Sequence, residues 1–379
     1  MSPKEDRVRA TEASLIEVQE AGANLVGALD LVAASLGPVA TVGHSPVASD
    51  DARERNAVRT KRLQRAGSPD KVEGSDSDLE SLVRRARVLR DELRFLLRAS
   101  DSDHVYFVEF RGRGVFFRAS PIDVSTIVRE LLLDRMRTTV LTSATLAVDG
   151  RFDYIRDRLG IRKAAEVRLP SEFDFARQAI LYLPPRMPDP RSPEFAMAAG
   201  REVVELLRRS RGRAFVLFTS YATLREVQAI VEMALDYPIF VQGTVPRSLL
   251  LKRFRETPHS VLLATSSFWQ GVDVVGDALS CVIVDKLPFA SPADPITAAR
   301  IDAIRARGGE PFGDYQVPLA ILALQQGLGR LIRHRRDRGV LAVLDPRLRT
   351  KAYGRRFLAS LPPAPAVHEL SRVEAFFSD

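Results

Sequence analysis

The sequence predicts an α/β protein whose largest part is a parallel β-sheet flanked by helices. Between about residues 171 and 379, short β-branched runs alternate with longer stretches of helical periodicity. Strands that alternate with helices favour a parallel sheet covered on both faces. The predicted strands are residues 139–142, 179–183, 214–218, 239–241, 261–264, 281–284 and 340–344. The predicted helices between them include residues 194–209, 221–235, 245–256 and 317–332.

The N-terminal part has a different pattern, which predicts a helical hairpin. Residues 11–36 carry apolar side chains at helical spacing and end at Gly37-Pro38, a typical helix stop. A second apolar stripe runs from about residue 79 to residue 99, and the stretch 38–78 between them is rich in Ser, Asp, Arg and Gly. That composition is typical of a mobile loop or linker. The next two runs, 105–110 and 115–119, flank a glycine-rich turn and predict a β-hairpin.

The composition excludes several classes of protein. The chain has 379 residues, of which 45% are hydrophobic and 27% charged, as in ordinary globular proteins of about two domains. One cysteine, Cys281, cannot form a disulfide framework, a four-cysteine zinc site or a cysteine-ligated iron–sulfur cluster. Its apolar setting predicts a buried thiol. The sequence has no apolar run of membrane-spanning length and no signal-peptide pattern, so we expect no membrane partner and a cytoplasmic protein.

The net charge of +8 permits a polyanionic partner without requiring one. Turns of small polar residues directly after predicted strands indicate a ligand-binding site more clearly than the net charge does. Such turns follow the strands at residues 142–145, 219–221 and 265–273. Hydroxyls and backbone N–H groups at the ends of parallel strands are good phosphate ligands. A single Ser or Thr in this position more often caps the next helix. The prediction of phosphate ligands therefore depends on the occurrence of several such turns in one sheet.

The segment from Gln326 to Arg333 gives the sharpest signal. If it is helical, Gln326, Arg330 and Arg333 share one face at i, i+4 and i+7, while Leu328, Leu331 and Ile332 point to the core. Two guanidiniums fixed on one face suit a triphosphate, because they neutralise the charge that develops on a transferring phosphoryl group. The alternative is a solvated basic helix, since further arginines follow directly.

These segments resemble helicase motifs of superfamily 2, and they occur in the right order. Thr142-Ser143-Ala144-Thr145 resembles motif III, Gln270-Gly271-Val272-Asp273 resembles motif V, and Gln326-x-x-Gly329-Arg330-x-x-Arg333 resembles motif VI. Three further segments resemble the DinG/XPD branch in particular: Lys286-Leu287-Pro288-Phe289, Asp294-Pro295 and Pro121-Ile122-Asp123-Val124-Ser125. The resemblance extends from about residue 80 to residue 350, which is most of the chain.

The resemblance implies an architecture and an activity. Residues 171–379 would form the second RecA-like motor domain of an ATP-dependent DNA helicase. Residues 1–104 would be a helical arch-like segment with a disordered loop near residues 38–78, and residues 105–170 a remnant of the first motor domain. Such a remnant lacks most of its sheet, so it would expose apolar edges. The implied enzyme is DinG-like and moves five-prime to three-prime on single-stranded DNA.

The resemblance also implies roles for matching residues. Arg330 and Arg333 would be arginine fingers that reach ATP held by the first motor domain. The other expected ATP-side residues are Gln326, Gly329, Gly271 and Asp273. The residues expected to couple hydrolysis to movement between the lobes are Thr142, Ser143 and Thr145. The expected contacts with single-stranded DNA are Ser220, Tyr221, Gln242, Gly243 and Trp269. For Tyr221 and Trp269 the alternative is ordinary packing at a helix start and in the core.

Two elements that the family requires do not occur in the 379 residues. One is the Gly-x-x-x-x-Gly-Lys-Thr/Ser loop that cradles the phosphates, and the other is the Asp-Glu-x-His box that holds Mg²⁺. We therefore expect ATP with Mg²⁺ to be used only together with a separate chain or portion that supplies both. Some family members place four cysteines for an iron–sulfur cluster in that portion, and this chain does not supply them.

Three hypotheses follow from these observations. The first is a fragment or split gene of a DinG-type helicase that is active only with the N-terminal half. The second is a nucleic-acid-binding module that kept the second motor lobe and lost ATPase activity. The third is a nucleotide-binding α/β protein that is not a helicase. The first is the hypothesis that the order of the motifs favours.

Overall fold

The computed structural model describes residues 7–41, 75–265, 268, 274 and 278–378. The chain divides into two compact units. The first comprises Met1–Ile122 together with Asp294–Ala299, and the second comprises Asp123–Ala293 and Arg300–Asp379. The predicted three-part division at residues 104/105 and 170/171 stays a prediction. The predicted β-hairpin belongs to the same compact unit as the helices that precede it in the chain.

The first unit is a helical hairpin joined to a small antiparallel sheet. The N-terminal half of helix α1 (Gln19–Thr41) faces the C-terminal half of helix α2 (Ser75–Arg98), since Gln19 Nε2 donates to the Leu97 carbonyl and Asp30 pairs with Arg90 at 2.8 Å. The described strands of this unit pair in the order β1-β2-β3. The elements are β1 (Arg7–Ala10), a 3₁₀ turn (Ala13–Val18), α1 (Gln19–Thr41), α2 (Ser75–Arg98), β2 (His104–Arg111) and β3 (Gly114–Pro121).

Two predictions for this unit have clear outcomes. The β-hairpin is confirmed, because β2 and β3 pair antiparallel from His104↔Pro121 to Arg111↔Gly114. The predicted helix stop at Gly37-Pro38 is wrong, because α1 continues to Thr41. A local stop signal is overridden when a packed neighbour supports the helix, and α1 packs along α2. The predicted mobile loop at 38–78 lies outside the described residues between positions 42 and 74.

The second unit is built on a parallel sheet. Its described strands pair in the order β10-β4-β9-β8-β5-β7-β6, and each of these pairs is parallel. Parallel pairing places the carboxyl ends of all these strands at one edge of the sheet. The strands are β4 (Ala179–Tyr182), β5 (Ala214–Phe218), β6 (Ile239–Val241), β7 (Val261–Thr265), β8 (Cys281–Val284), β9 (Gly339–Val343) and β10 (Ala366–Val367).

Helices cover both faces of this sheet, as predicted. The longer ones are α6 (Phe195–Ser210), α7 (Tyr221–Ala234), α8 (Arg247–Glu256), α10 (Val317–Leu328) and α13 (Leu370–Ser378), while α9 (Pro295–Ala306) has residues in both units. The shorter helices of this unit are α3 (Ser125–Val128), α4 (Asp153–Leu159), α5 (Phe175–Gln178), α11 (Arg347–Thr350) and α12 (Gly354–Ser360). Short π-helical turns follow α3 (Arg129–Leu133) and precede α10 (Phe312–Gln316).

Alternate residues of the strands pack into two separate cores. On one face, Leu217 and Val284 pack with Phe254 of α8 and Leu324 of α10. On the other face, Val216 and Ile283 pack with Leu207 of α6 and Val227 of α7. Because both faces are buried, the strands read as continuous apolar runs in the sequence. The same burial raises the pKa of Cys281 to about 12, so this thiol is a core residue, as predicted.

One predicted strand does not form. Residues 139–142 have no regular structure, and Val140 is 80% exposed. A strand needs a neighbour that satisfies its N–H and C=O groups, and none of the described strands lies beside this run. The expectation that this part of the chain exposes apolar side chains is confirmed, since Leu131, Met136, Val140, Val167 and Leu169 are all exposed. Within the described residues, no helix has the length and apolar character needed to cross a membrane.

Candidate functional site

The carboxyl edge of the large sheet carries a buried aspartate that the sequence did not single out. Asp285 directly follows β8 and is 1% exposed. Its carboxylate accepts from the backbone N–H of Thr219 at 2.9 Å and of Lys286 at 2.6 Å. Thr219 directly follows β5, which pairs with β8. Asp285 therefore ties together the turns that leave two neighbouring strands.

Burial also changes the acidity of this aspartate. It raises the pKa of Asp285 to about 7, although the hydrogen bonds from Lys286 and Thr219 act in the opposite direction. The cause is desolvation, because a carboxylate in an apolar surrounding loses its hydration. The signal that could have revealed Asp285 is an acidic residue directly after the apolar run Cys281–Val284.

Ser220 has a structural role in the observed geometry. It is the N-cap of α7, where its hydroxyl accepts from the backbone N–H of Thr223 at 3.2 Å. Capping hydroxyls of this kind typically stabilise a helix by about 1 kcal/mol. The capping interpretation therefore accounts for Ser220. Its predicted contact with DNA stays a prediction.

Tyr221 is the first residue of α7, and it is not a core residue, because 42% of it is exposed. Its hydroxyl oxygen accepts from Nε2 of Gln242 at 2.7 Å. The Oε1 atom of Gln242 in turn accepts from the backbone N–H of Thr265 at 2.7 Å. These contacts bring together the turns after β5, β6 and β7. Two predicted DNA contacts, Tyr221 and Gln242, are thus neighbours in space.

Gly243 follows Gln242 in the turn after β6. Its φ angle is +95°, a backbone conformation that side chains with a Cβ rarely adopt. This backbone requirement explains the glycine without any ligand. A contact between Gly243 and DNA stays a prediction.

The motif VI segment is not one continuous helix, so the prediction of a shared helix face is wrong. Helix α10 ends at Leu328, Gly329 is its C-cap, and the chain then turns until Gly339 starts β9. The predicted burial of the apolar residues is confirmed, since Leu328, Leu331 and Ile332 are 1%, 3% and 5% exposed. Burying Leu331 and Ile332 from a turn gives the core the same side chains without continuing the helix.

Arg330 and Arg333, the two arginines of the motif VI segment, are both half-buried and have different neighbours. Arg330 Nε donates to the Gln326 carbonyl at 3.1 Å. Burial lowers the pKa of Arg330, and the nearby charge of Arg247 lowers it further. Burial also lowers the pKa of Arg333, while Asp337 raises it and Arg255 lowers it. Both guanidiniums remain charged at any physiological pH and are partly desolvated, Arg330 near the positive charge of Arg247 and Arg333 near both Asp337 and Arg255.

The loop that carries Arg333 is held by two polar side chains. The Asp337 carboxylate accepts from the backbone N–H groups of Arg333 at 2.9 Å and His334 at 2.8 Å. Gln178, which is buried, donates to the carbonyls of His334 at 3.0 Å and Asp337 at 2.9 Å. The position of Arg333 is therefore fixed by residues outside the motif.

A cleft of about 360 Å³ in the second unit brings motif III and motif VI together. On the motif III side, the Thr145 backbone N–H donates to the Ser143 hydroxyl at 3.2 Å. Thr142 and Ser143 are exposed, and Thr145 is half-buried. The cleft is lined by Ala144, Thr145, Gln325, Gln326, Gly329 and Arg330.

Three predicted site residues, Trp269, Gly271 and Asp273, lie outside the described residues. Phe268 is described, and the Arg247 guanidinium lies over its ring at 5.1 Å from the centroid. Arg247 is the first residue of α8. Its position beside Phe268 and its charge effect on Arg330 make Arg247 a site residue that sequence reasoning missed. Among the described residues, no group of His, Cys, Asp and Glu side chains could hold a metal ion.

The chain is similar to known helicases over most of its length. The helicase C-terminal domain family matches residues 203–364. The ATP-dependent DNA helicase YoaA of Escherichia coli is 38% identical over 305 residues, which cover 80% of this chain and 48% of YoaA. The ATP-dependent helicase DinG of Mycobacterium tuberculosis is 38% identical over 250 residues, 65% of this chain and 38% of DinG.

The chain is similar to the DinG-type helicases. It corresponds to the C-terminal portion of these proteins and spans less than half the length of YoaA or DinG. A solved XPD helicase structure superposes with a TM-score of 0.55 at 15% identity, covering 80% of this chain and 57% of the other. This likeness confirms the predicted RecA-like fold of the parallel sheet.

The helicase C-terminal domain match covers the part of the chain that builds the carboxyl edge from β5 to β9. Within the matched residues, Thr219 and Tyr221 follow β5, Gln242 follows β6, and Arg330 lies between α10 and β9. In open α/β sheets, ligands bind at the carboxyl ends of the strands. Polar side chains at this edge suit a nucleic-acid backbone, and the half-buried arginines of the loop before β9 suit polyphosphate.

Proposed function

We propose that this chain supplies the second motor domain of an ATP-dependent DNA helicase of the DinG type, moving five-prime to three-prime on single-stranded DNA. The observation that carries the proposal is the position of Arg330 in the same cleft as Thr145. In motor ATPases, the effect of ATP hydrolysis must be transmitted to both motor domains. A cleft shared by an arginine finger and a coupling motif provides that link.

Arg330 and Arg333 are the proposed arginine fingers. A partly desolvated guanidinium interacts more strongly with an anion than a fully hydrated one does. The nearby charge of Arg247 makes the site still more favourable for a polyphosphate. In phosphoryl transfer such arginines stabilise the charge on the transferring group. The other proposed ATP-side residues are Gln326, Gly329, Gly271 and Asp273, and the proposed coupling residues are Thr142, Ser143 and Thr145.

The proposed enzyme needs residues beyond these 379. The phosphate-binding loop and the Asp-Glu-x-His box, which would hold ATP with Mg²⁺, must come from a separate polypeptide or a further portion of the protein. The exposed apolar side chains between residues 127 and 169 support this view, because large exposed apolar residues typically mark a surface that another body covers. The most exposed are Val140, Val167 and Leu169.

Single-stranded DNA is the proposed second ligand, at the ends of β5, β6 and β7. The support is the polar cluster of Tyr221, Gln242 and Thr265 in a chain of net charge +8. The residues of the proposed DNA site are Ser220, Tyr221, Gln242, Gly243 and Trp269. We also propose a cytoplasmic location, where a DNA helicase meets its substrate.

Reconstitution tests this proposal. The chain is expressed together with a polypeptide that carries the phosphate-binding loop and the Asp-Glu-x-His box of the same helicase. We expect ATP hydrolysis stimulated by single-stranded DNA, and strand separation of a duplex with a five-prime overhang. A Val140→Glu, Leu169→Glu variant should form less of the complex, with Val18→Glu as the control at an exposed apolar residue of the first unit.

A complex that binds DNA but does not hydrolyse ATP would contradict the helicase proposal. It would favour the alternative of a nucleic-acid-binding module that has lost ATPase activity. Hydrolysis without any dependence on DNA would instead favour a nucleotide-binding protein that is not a helicase.

A further inference from the structure

The contacts of Gln242 determine the direction of its hydrogen bonds. One amide atom lies 2.7 Å from the backbone nitrogen of Thr265 and 3.1 Å from the Thr265 hydroxyl. A backbone N–H can only donate, so that amide atom is the oxygen. The amide nitrogen is then the atom that lies 2.7 Å from the Tyr221 hydroxyl. Gln242 therefore donates, and the Tyr221 oxygen accepts.

This direction leaves the hydrogen of the Tyr221 hydroxyl for another acceptor. Among the described residues, none accepts a hydrogen bond from this hydroxyl. The side chain is substantially exposed at the carboxyl edge of the sheet. It also lies at the N-terminus of α7, where the helix dipole favours negative charge. The acceptor that fits these surroundings is anionic and comes from outside the described residues.

We propose that Tyr221 binds single-stranded DNA by donating its hydroxyl hydrogen to a backbone phosphate oxygen, and that Gln242 is the positioning residue that sets this direction. The inference rests on the proposed function, because it assigns the chemistry of one contact at the proposed DNA site. The alternative contact for an exposed tyrosine at such a site is stacking of its ring on a base. The phosphate contact gives Gln242 a role through Tyr221 rather than a contact with DNA of its own.

Substitutions separate the two kinds of contact. Tyr221→Phe keeps the ring, so stacking would survive, whereas the hydrogen bond to phosphate is lost. Gln242→Glu keeps an acceptor for Thr265 but offers Tyr221 only acceptors. The tyrosine must then donate inward, which turns its oxygen lone pairs towards the phosphate. Gln242→Met removes both the donor and the acceptor without adding charge.

The test is fluorescence anisotropy of the whole chain with a labelled oligo(dT), alongside a melting curve for each variant. Tyr221→Phe should weaken binding roughly tenfold or more, as expected for the loss of one hydrogen bond to a charged acceptor. Tyr221→Ala should weaken binding by no more than about twofold beyond the loss seen in Tyr221→Phe. The melting temperature of Tyr221→Phe should equal that of the wild type. Tyr237→Phe, a tyrosine that precedes β6 at the opposite edge, is the control and should bind normally.

A double-mutant cycle tests the positioning role. Gln242→Met should weaken binding in the wild-type background and have no further effect on affinity in the Tyr221→Phe background. A purely structural role would give the same loss in both backgrounds, and that outcome would overturn the assignment of Gln242. Tyr221→Phe with wild-type affinity would overturn the phosphate contact while leaving the proposed DNA site standing. A wild-type chain that binds no oligo(dT) would overturn both.

Discussion

The Nε atom of Arg330 lies 3.1 Å from the carbonyl oxygen of Gln326, to which it donates a hydrogen bond. This carbonyl belongs to the last turn of α10, which ends at Leu328. The C-terminal end of a helix carries partial negative charge and attracts a guanidinium. The arginine is therefore folded back onto its own helix. A phosphate that binds Arg330 has to compete with the Gln326 carbonyl oxygen as the hydrogen-bond acceptor. Only a strongly anionic group therefore binds this arginine.

The chain alone should hydrolyse ATP negligibly, with or without single-stranded DNA. Arginine fingers stabilise a transition state that the phosphate-binding loop and the Mg²⁺ ligands must first assemble. The measurement is a coupled ATPase assay on the purified chain. A DNA-stimulated turnover on the order of 1 per second, ordinary for an enzyme, would show that the ATP site has been misassigned.

Binding of single-stranded DNA by the chain alone should be weak and independent of sequence. Contacts with the backbone release counterions, so raising salt from about 50 to 200 mM should weaken binding roughly 20-fold if about three phosphates are contacted. Anisotropy titrations with single-stranded and duplex oligonucleotides measure both effects. A preference for duplex, or an affinity that does not change with salt, is the result that this interpretation does not allow.

Asp285 should make the stability of the fold depend on pH. Because burial raises its pKa from 3.8 to about 7, its contribution is fully present below the unfolded pKa and is lost as pH rises through about 7. Asp285→Asn cannot titrate. Between pH 5 and pH 8 the free energy of unfolding of the wild type should therefore fall relative to that of Asp285→Asn, by roughly 2–3 kcal/mol.

Urea unfolding at both pH values measures this difference. Asp236→Asn, which removes an exposed carboxyl before β6, is the matched control for the loss of one charge. A constant difference between wild type and Asp285→Asn across this range would mean that Asp285 is ionised in the fold at pH 5. The hydrogen bonds from Thr219 and Lys286 would then outweigh burial.

The strands of the second unit could be predicted well because each is buried on both faces. The predicted runs 214–218, 239–241 and 281–284 coincide with β5, β6 and β8. The end of α10 could not be predicted in this way. Leu328, Leu331 and Ile332 have helical spacing, but a turn after Gly329 buries the same side chains. Apolar spacing alone does not distinguish these two solutions.

The rest of the site depends on contacts between distant segments. Asp285 acquires its role because β5 and β8 are neighbours although about 65 residues separate them, and an acid after a strand is common in sequences. Residues 139–142 have the composition of a strand but no described strand to pair with. The motifs themselves were recognisable because their residue types and order are specific.

The most direct test of the arginine-finger assignment is the ATPase rate of the reconstituted complex with Arg330→Ala. Arginine fingers in phosphoryl-transfer enzymes contribute about 10³–10⁵ in rate, so we expect a loss of at least about 10³ with little change in DNA affinity. Arg333→Ala should behave similarly. Arg336→Ala, at an exposed arginine of the same loop, is the matched control and should keep normal turnover. Near-normal turnover by Arg330→Ala and Arg333→Ala would contradict the assignment of motif VI and with it the proposed function.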